Sequence, residues 1–157
     1  MEPTTPTERP QVPAPVQLAR ALLAAVAISH LVVPVVMWAR QGTLRDQIEF
    51  QHPDFGLAEV ARSADVAVAS AAVFHGVLLV LCALLAWKLA TARPWTRLLA
   101  TVSQLLSVVF SVVSWATSPM FHAVIPIIGS TQILIVAMLW APRRTRDFFA
   151  GAPRSGT

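Results

Sequence analysis

Four long apolar runs divide the chain, with short polar segments between them. The longest is Ala64–Ala90, which has no charge between Asp65 and Lys88. As a helix it would be ~40 Å long at 1.5 Å per residue, more than the ~30 Å hydrocarbon core of a bilayer. The other runs are about Gln17–Ala39, Arg97–Thr117 and Met120–Ala141. Each has the length and composition of a membrane-crossing helix. The pattern predicts an all-α, polytopic integral membrane protein: a four-transmembrane-helix bundle with a short outer amphipathic segment.

The intervening segments carry the polar signals. Residues 1–15 contain five prolines and little apolar material, which predicts a disordered tail. The first run is longer than a signal-peptide core and is read as a retained span. Pro34 lies inside it and deprives the His30 carbonyl of its helical donor, so a kink is expected there. Thr43 and Asp46 resemble a helix start, and the segment His52-Pro53-Asp54-Phe55-Gly56 reads as a turn. The stretch 41–63 is therefore expected to form a surface-lying amphipathic helix or an upward extension of span two. Pro126 predicts a kink in span four. The basic tail 143–157 is expected to end loosely, with Phe148 and Phe149 dipping into the interface and tethering its first turn.

Composition strengthens this reading. Hydrophobic residues make up 55% of the 157 positions, charged residues only 13%, and the mean hydropathy is +0.62. A soluble domain carries about 25% charged residues. The net charge of +4 does not imply nucleic acid, because the arginines flank apolar runs and form no patch with stacking aromatics. Four spans place both termini on one side. That side holds nine Lys and Arg residues (Arg9, Arg20, Lys88, Arg93, Arg97, Arg143, Arg144, Arg146, Arg154), and the other holds three (Arg40, Arg45, Arg62). The positive-inside rule then predicts a plasma-membrane protein with both termini cytoplasmic and the 41–63 loop outside.

Candidate chemistry is sparse. In lipid, small and polar residues mark the faces that pack. Ser63, Ala67, Ala71 and His75 recur every four residues in span two. Ser103, Ser107, Ser111, Ser114 and Ser118, with Gln104, mark span three, and His122, Pro126, Gly129 and Gln132 mark span four. Counting inward from Arg40 and Arg62 puts His30 and His75 at ~15 and ~20 Å depth on antiparallel helices, level with each other. Intramembrane ionisable residues mark function by default. The candidate ligand-binding residues are thus His30, His75, Gln104, Ser107, Ser111, His122 and Gln132. One use of the histidines is a structural hydrogen bond, for instance from His75 to Ser107 or Gln132. A second is contact with a quinone head group. A third is axial ligation of a b-type haem, with Gly76 leaving room and Arg40 and Arg62 near the propionates. No acidic residue accompanies the histidines within the spans, which argues against another metal site.

No GxSxG, Walker, GxGxxG or HExxH motif occurs. Cys82 is alone and reads as a small buried hydrophobe. The expectation is a protein without catalytic residues, acting in the bilayer as an accessory or interaction subunit or as a homo-oligomer. A redox anchor holding haem or quinone between His30 and His75 is the alternative. A small transporter or channel with a Ser/Gln/His-lined interior is the third reading.

Overall fold

The computed structural model describes residues 11–117 and 121–151. Among them it is all-helical: α1 (Ala14–Ala39), α2 (Gln41–Gln51), α3 (Leu57–Lys88), α4 (Pro94–Thr117), α5 (Ile125–Trp140) and α6 (Arg143–Ala150), with a 3-10 turn at Leu89–Thr91 after α3. Three helices, α1, α3 with its 3-10 extension, and α4, are each long and apolar enough to cross a membrane. The helix α5 meets that standard only together with α6, from which it bends by 64°.

Prolines set most of the helix starts. Pro15 sits in the first turn of α1, Pro94 opens α4, Pro126 lies in the first turn of α5, and Pro142 precedes α6. A proline there gives up an N–H that has no intrahelical partner anyway. Pro126 therefore starts a helix instead of kinking one, and the fourth apolar helix is shorter than the sequence suggests. Its 16 residues span ~24 Å. By contrast, α1 continues through Pro34. Within 41–63, α2 forms at Gln41–Gln51 and α3 begins at Leu57, before the apolar run. At that start the Glu59 carboxylate accepts the Gly56 N–H at 2.9 Å, one half of a capping box. Glu59 in the first turn and Lys88 in the last also complement the helix dipole. The start of the basic tail is helical, since 143–150 form α6. The tail beyond 151 and the first ten residues lie outside the described residues, as does Ser118.

Packing is uneven along the bundle. Helix α1 lies against α3 and α5, α4 lies against α5, and α3 meets α4 only sparsely. Val16, Ala19, Leu23 and Val26 form a buried stripe on α1 at steps of three and four. They pack with Cys82, Leu85 and Leu89 after the middle of α3, Ala100 of α4, Ile135 and Leu139 of α5, and Phe149 of α6. This dense half surrounds the α3–α4 turn. Arg20 Nε reinforces it by donating to the Ala86 carbonyl at 2.7 Å. In the other half, no residue of α3 between Ala64 and Cys82 is fully buried.

The outward faces are strongly apolar. Val66, Val73, Val77, Val80 and Trp87 line one exposed side of α3, and Leu98, Val102, Leu105 and Val109 one side of α4. Surfaces of that extent are unfavourable in water and natural against acyl chains. Core and lipid faces thus separate on a single helix. Leu139→Ala, at a fully buried site, is expected to destabilise the protein in detergent by about 2 kcal/mol, the low end for a buried Leu→Ala cavity. Leu134→Ala, on the exposed side of the same helix, should be nearly silent, since lipid or detergent fills the gap. Thermal unfolding of the two variants checks this.

Candidate functional site

The loose half of the bundle encloses a cavity of about 740 Å³ between α1, α3, α4 and the start of α5. That is within the usual range for a small-molecule site, about 300–1,000 Å³. Its walls are mostly Val, Ile, Leu and Phe, with a few polar side chains: Ser29, His30, Ser70, His75, Ser107, Ser111, Ser114 and Gln132. Arg40 lies at its rim, one helical end away from the dense core.

His30 and His75 meet across the α1–α3 interface. Their Nδ1 atoms are 2.9 Å apart, with ring centroids 5.2 Å apart and planes tilted by 39°. A hydrogen bond between two Nδ1 atoms fixes the protons of a neutral pair. One Nδ1 carries the proton and donates it; the other must be bare and accept. The donor ring therefore has a bare Nε2, and the acceptor ring an Nε2–H. In a neutral pair one outer nitrogen is an acceptor and the other a donor, and exchanging the two roles requires both the central proton and the Nε2 proton to change rings. Two fully charged imidazoliums cannot make this contact, because both Nδ1 atoms would then carry protons.

Aromatic packing holds the pair. Phe74 meets His75 edge-on at 5.4 Å and Phe110 of α4 edge-on at 5.5 Å. Across the cavity stands Gln132, only 1% exposed. Two residues that line this space each hold a buried polar atom without a hydrogen-bond partner: His30 at Nε2 and Gln132 at Oε1. Such atoms are rare in folded proteins, and each costs roughly 1–3 kcal/mol if left unmet. The cavity is thus a place where a bound group would recover energy that the fold leaves uncollected.

The remaining candidates are distributed differently. Ser107 and Ser111 line the cavity, and the Ser111 hydroxyl donates to the Ser107 carbonyl at 2.9 Å, a within-helix bond. Gln104 is fully buried one turn deeper, with Nε2 near Cys82 Sγ at 3.8 Å and Ser103 Oγ at 3.4 Å. His122 donates from Nε2 to the Trp115 carbonyl at 2.6 Å and stacks on the Trp115 ring at 4.4 Å. It closes the α4–α5 connection and does not reach the cavity lining. The row Ser63, Ala67, Ala71, His75 turns inward, but at Ala71 it faces open volume instead of a close-packed neighbour. An added Cβ at Gly129 would likewise touch nothing within 4 Å, so that glycine marks no tight crossing.

Haem fits poorly between the paired nitrogens. An imidazole–metal bond is ~2.0–2.1 Å, so an ion held between two imidazoles needs ~4 Å of nitrogen separation. The Nδ1 atoms are already 2.9 Å apart. Among the described residues no three His, Cys, Asp or Glu side chains cluster as metal ligands would. Towards the α3–α4 turn, Val26, Ala27, Cys82, Gln104 and Ile135 are buried and do not line this space. Comparisons of the chain with protein-family models, with curated proteins and with solved structures found no match.

Proposed function

We propose that this chain is a multi-pass plasma-membrane protein that binds a small lipophilic molecule by its polar head, without catalysing a reaction on it. In this reading α5 is the fourth span, both termini are cytoplasmic, and α2 lies at the outer surface. One observation carries it: His30 and Gln132, each with a buried polar atom that lacks a partner (Nε2 and Oε1), both line one preformed apolar cavity. Preformed apolar cavities with a few convergent polar groups are the usual form of small-molecule sites. The ligand head must carry a hydroxyl or a ring carbonyl. A hydroxyl donates to Gln132 Oε1, and a carbonyl is met when the Gln132 amide turns its Nε2 inward. Quinols and quinones belong to this class, and the paired imidazoles offer both a donor and an acceptor to either.

The buried packing of Val26, Cys82, Gln104 and Ile135 beyond the cavity favours binding over conduction. The absence of a paired nucleophile and base, or of clustered carboxylates, around the cavity favours binding over catalysis. A role as an accessory subunit remains compatible, with the ligand as what the subunit contributes. The test is solvent extraction of protein purified in mild detergent, followed by mass spectrometry. One non-phospholipid molecule should be enriched over the bulk membrane extract in wild type. It should fall at least severalfold in Ala71→Trp, which fills the cavity without touching either histidine pair atom. An extract identical to bulk lipid in both proteins would refute the reading.

A further inference from the structure

A second pocket lies at the opposite end of the bundle, between the start of α4, the end of α5 and α6. It has a volume of about 460 Å³. We propose that it binds the phosphate group of an anionic phospholipid. The inference is independent of the His30–His75 cavity.

Two guanidiniums, from two helices, line it: Arg97 from the first turn of α4 and Arg146 from α6. Among the described residues no carboxylate lines it. Among the described residues the nearest ion pair on α6 is Arg143–Asp147, at 3.9 Å on the exposed side. Like charges gathered in one pocket without a counter-charge repel each other, and an anion between them removes that penalty.

Arg97 is held ready by a closed set of contacts. Its guanidinium carbon lies 3.6 Å from the Trp140 ring centroid. Trp140 Nε1–H donates to Thr101 Oγ1 at 2.7 Å, and the Thr101 hydroxyl donates to the Arg97 carbonyl at 2.9 Å. Stacking seals Arg97 Nε away from solvent without a partner. The terminal amino groups are then the part of the fork left to meet an anion. Guanidinium–phosphate pairs are charge-assisted and frequently bidentate, which makes arginine suited to this task. The first-turn amides of α4 add positive potential at the same spot.

The rest of the lining says which phosphate. Trp95 and Leu98 are 49% and 58% exposed, and with Phe149 they form an apolar wall beside the arginines. Tryptophans at a helix end mark the headgroup level of a bilayer. A free phosphate would use only the arginines. A phospholipid uses both halves, its phosphate on the guanidiniums and its acyl chains along Trp95 and Leu98. Basic pockets between membrane helices are established headgroup sites.

The test reconstitutes the full chain in nanodiscs of equal parts phosphatidylcholine and phosphatidylglycerol. Lipids retained on release into the gas phase are counted by native mass spectrometry. Wild type should retain phosphatidylglycerol over phosphatidylcholine by about tenfold, the ratio expected for one net charge-assisted contact. Arg97→Gln and Arg146→Gln should each bring the ratio close to one. Arg146 is exposed on α6, so its loss leaves the fold intact even if Arg97→Gln perturbs it. Arg144→Gln, an exposed neighbour that does not line the pocket, should keep the wild-type ratio. Equal retention of the two lipids by wild type would overturn the proposal, as would an unchanged preference in Arg146→Gln. Displacement of phosphatidylglycerol by excess inorganic phosphate would reassign the pocket to free phosphate and also overturn it.

Discussion

Replacing His30 by leucine should destabilise the protein, and replacing both His30 and His75 by leucine should cost less than the sum of the two single substitutions. The expectation follows from the 2.9 Å contact between the two Nδ1 atoms. Removing one ring leaves the other with an unmet polar atom in a mostly apolar cavity, whereas removing both leaves two apolar side chains of similar bulk. Hydrogen bonds show this asymmetry generally, with roughly 1–3 kcal/mol for an orphaned group and little for a pair removed together. Inside membranes the measured couplings are smaller, averaging about 0.6 kcal/mol with a maximum near 1.7, because an orphaned group finds other partners. Serine hydroxyls and water in the cavity would act in that direction here. We therefore expect each single substitution to cost about 1–2 kcal/mol and the double-mutant coupling to fall between those two membrane values. Reversible unfolding in mixed micelles measures it. Strictly additive losses would mean that the imidazoles do not touch. The same variants read the ligand site: His30→Leu removes the orphaned Nε2 and should release the bound molecule, whatever its effect on stability.

The positions of these two histidines illustrate which features were legible in the sequence. Depth counted from the flanking arginines, Arg40 and Arg62, is simple arithmetic on helix rise, and it places the rings level on antiparallel neighbours. The long helices were legible for the same reason, since the length of an apolar run is a direct measure of span. Whether a small-residue row closes onto a helix or opens onto a cavity was not legible. Ala71 and Ser107 satisfy the same spacing rule in either case, and the answer depends on how far α3 stands from α4. Pro126 was ambiguous because a proline within an apolar run either kinks a helix or begins one. Only its neighbours decide, and here Phe121–Val124 form a tight turn that ends where α5 starts. The tail 143–150 has no periodicity long enough to notice. An eight-residue helix is marginal alone; α6 exists because Phe149, 3% exposed, docks into the core. The Arg97–Trp140 stack joins residues far apart in sequence, and no local pattern announces it.

Single cysteines at 49, 92 and 144 should separate into two classes with a membrane-impermeant thiol reagent applied to intact cells: 49 labelled, 92 and 144 protected. The native Cys82 is 1% exposed and buried beside Gln104, so it contributes no background. Position 49 lies in α2, and position 92 lies in the left-handed turn between α3 and α4, at opposite ends of α3. Its 32 residues put those ends ~48 Å apart, beyond any bilayer. The excess of Lys and Arg at the 92 end is the reason to expect that side in the cytoplasm. Position 144 is the decisive one, because α5 alone is short for a span. The Trp140 indole bonds Thr101 at 2.7 Å, and Thr101 lies two turns into α4 from its start. The end of α5 has therefore returned to the level where α4 begins. A helix that turned back at mid-membrane would leave Trp140 far from Thr101 and place 144 with 49. Labelling of 144 together with 49 would thus reduce the protein to three spans, and labelling of 92 in place of 49 would reverse the orientation while leaving the span count intact.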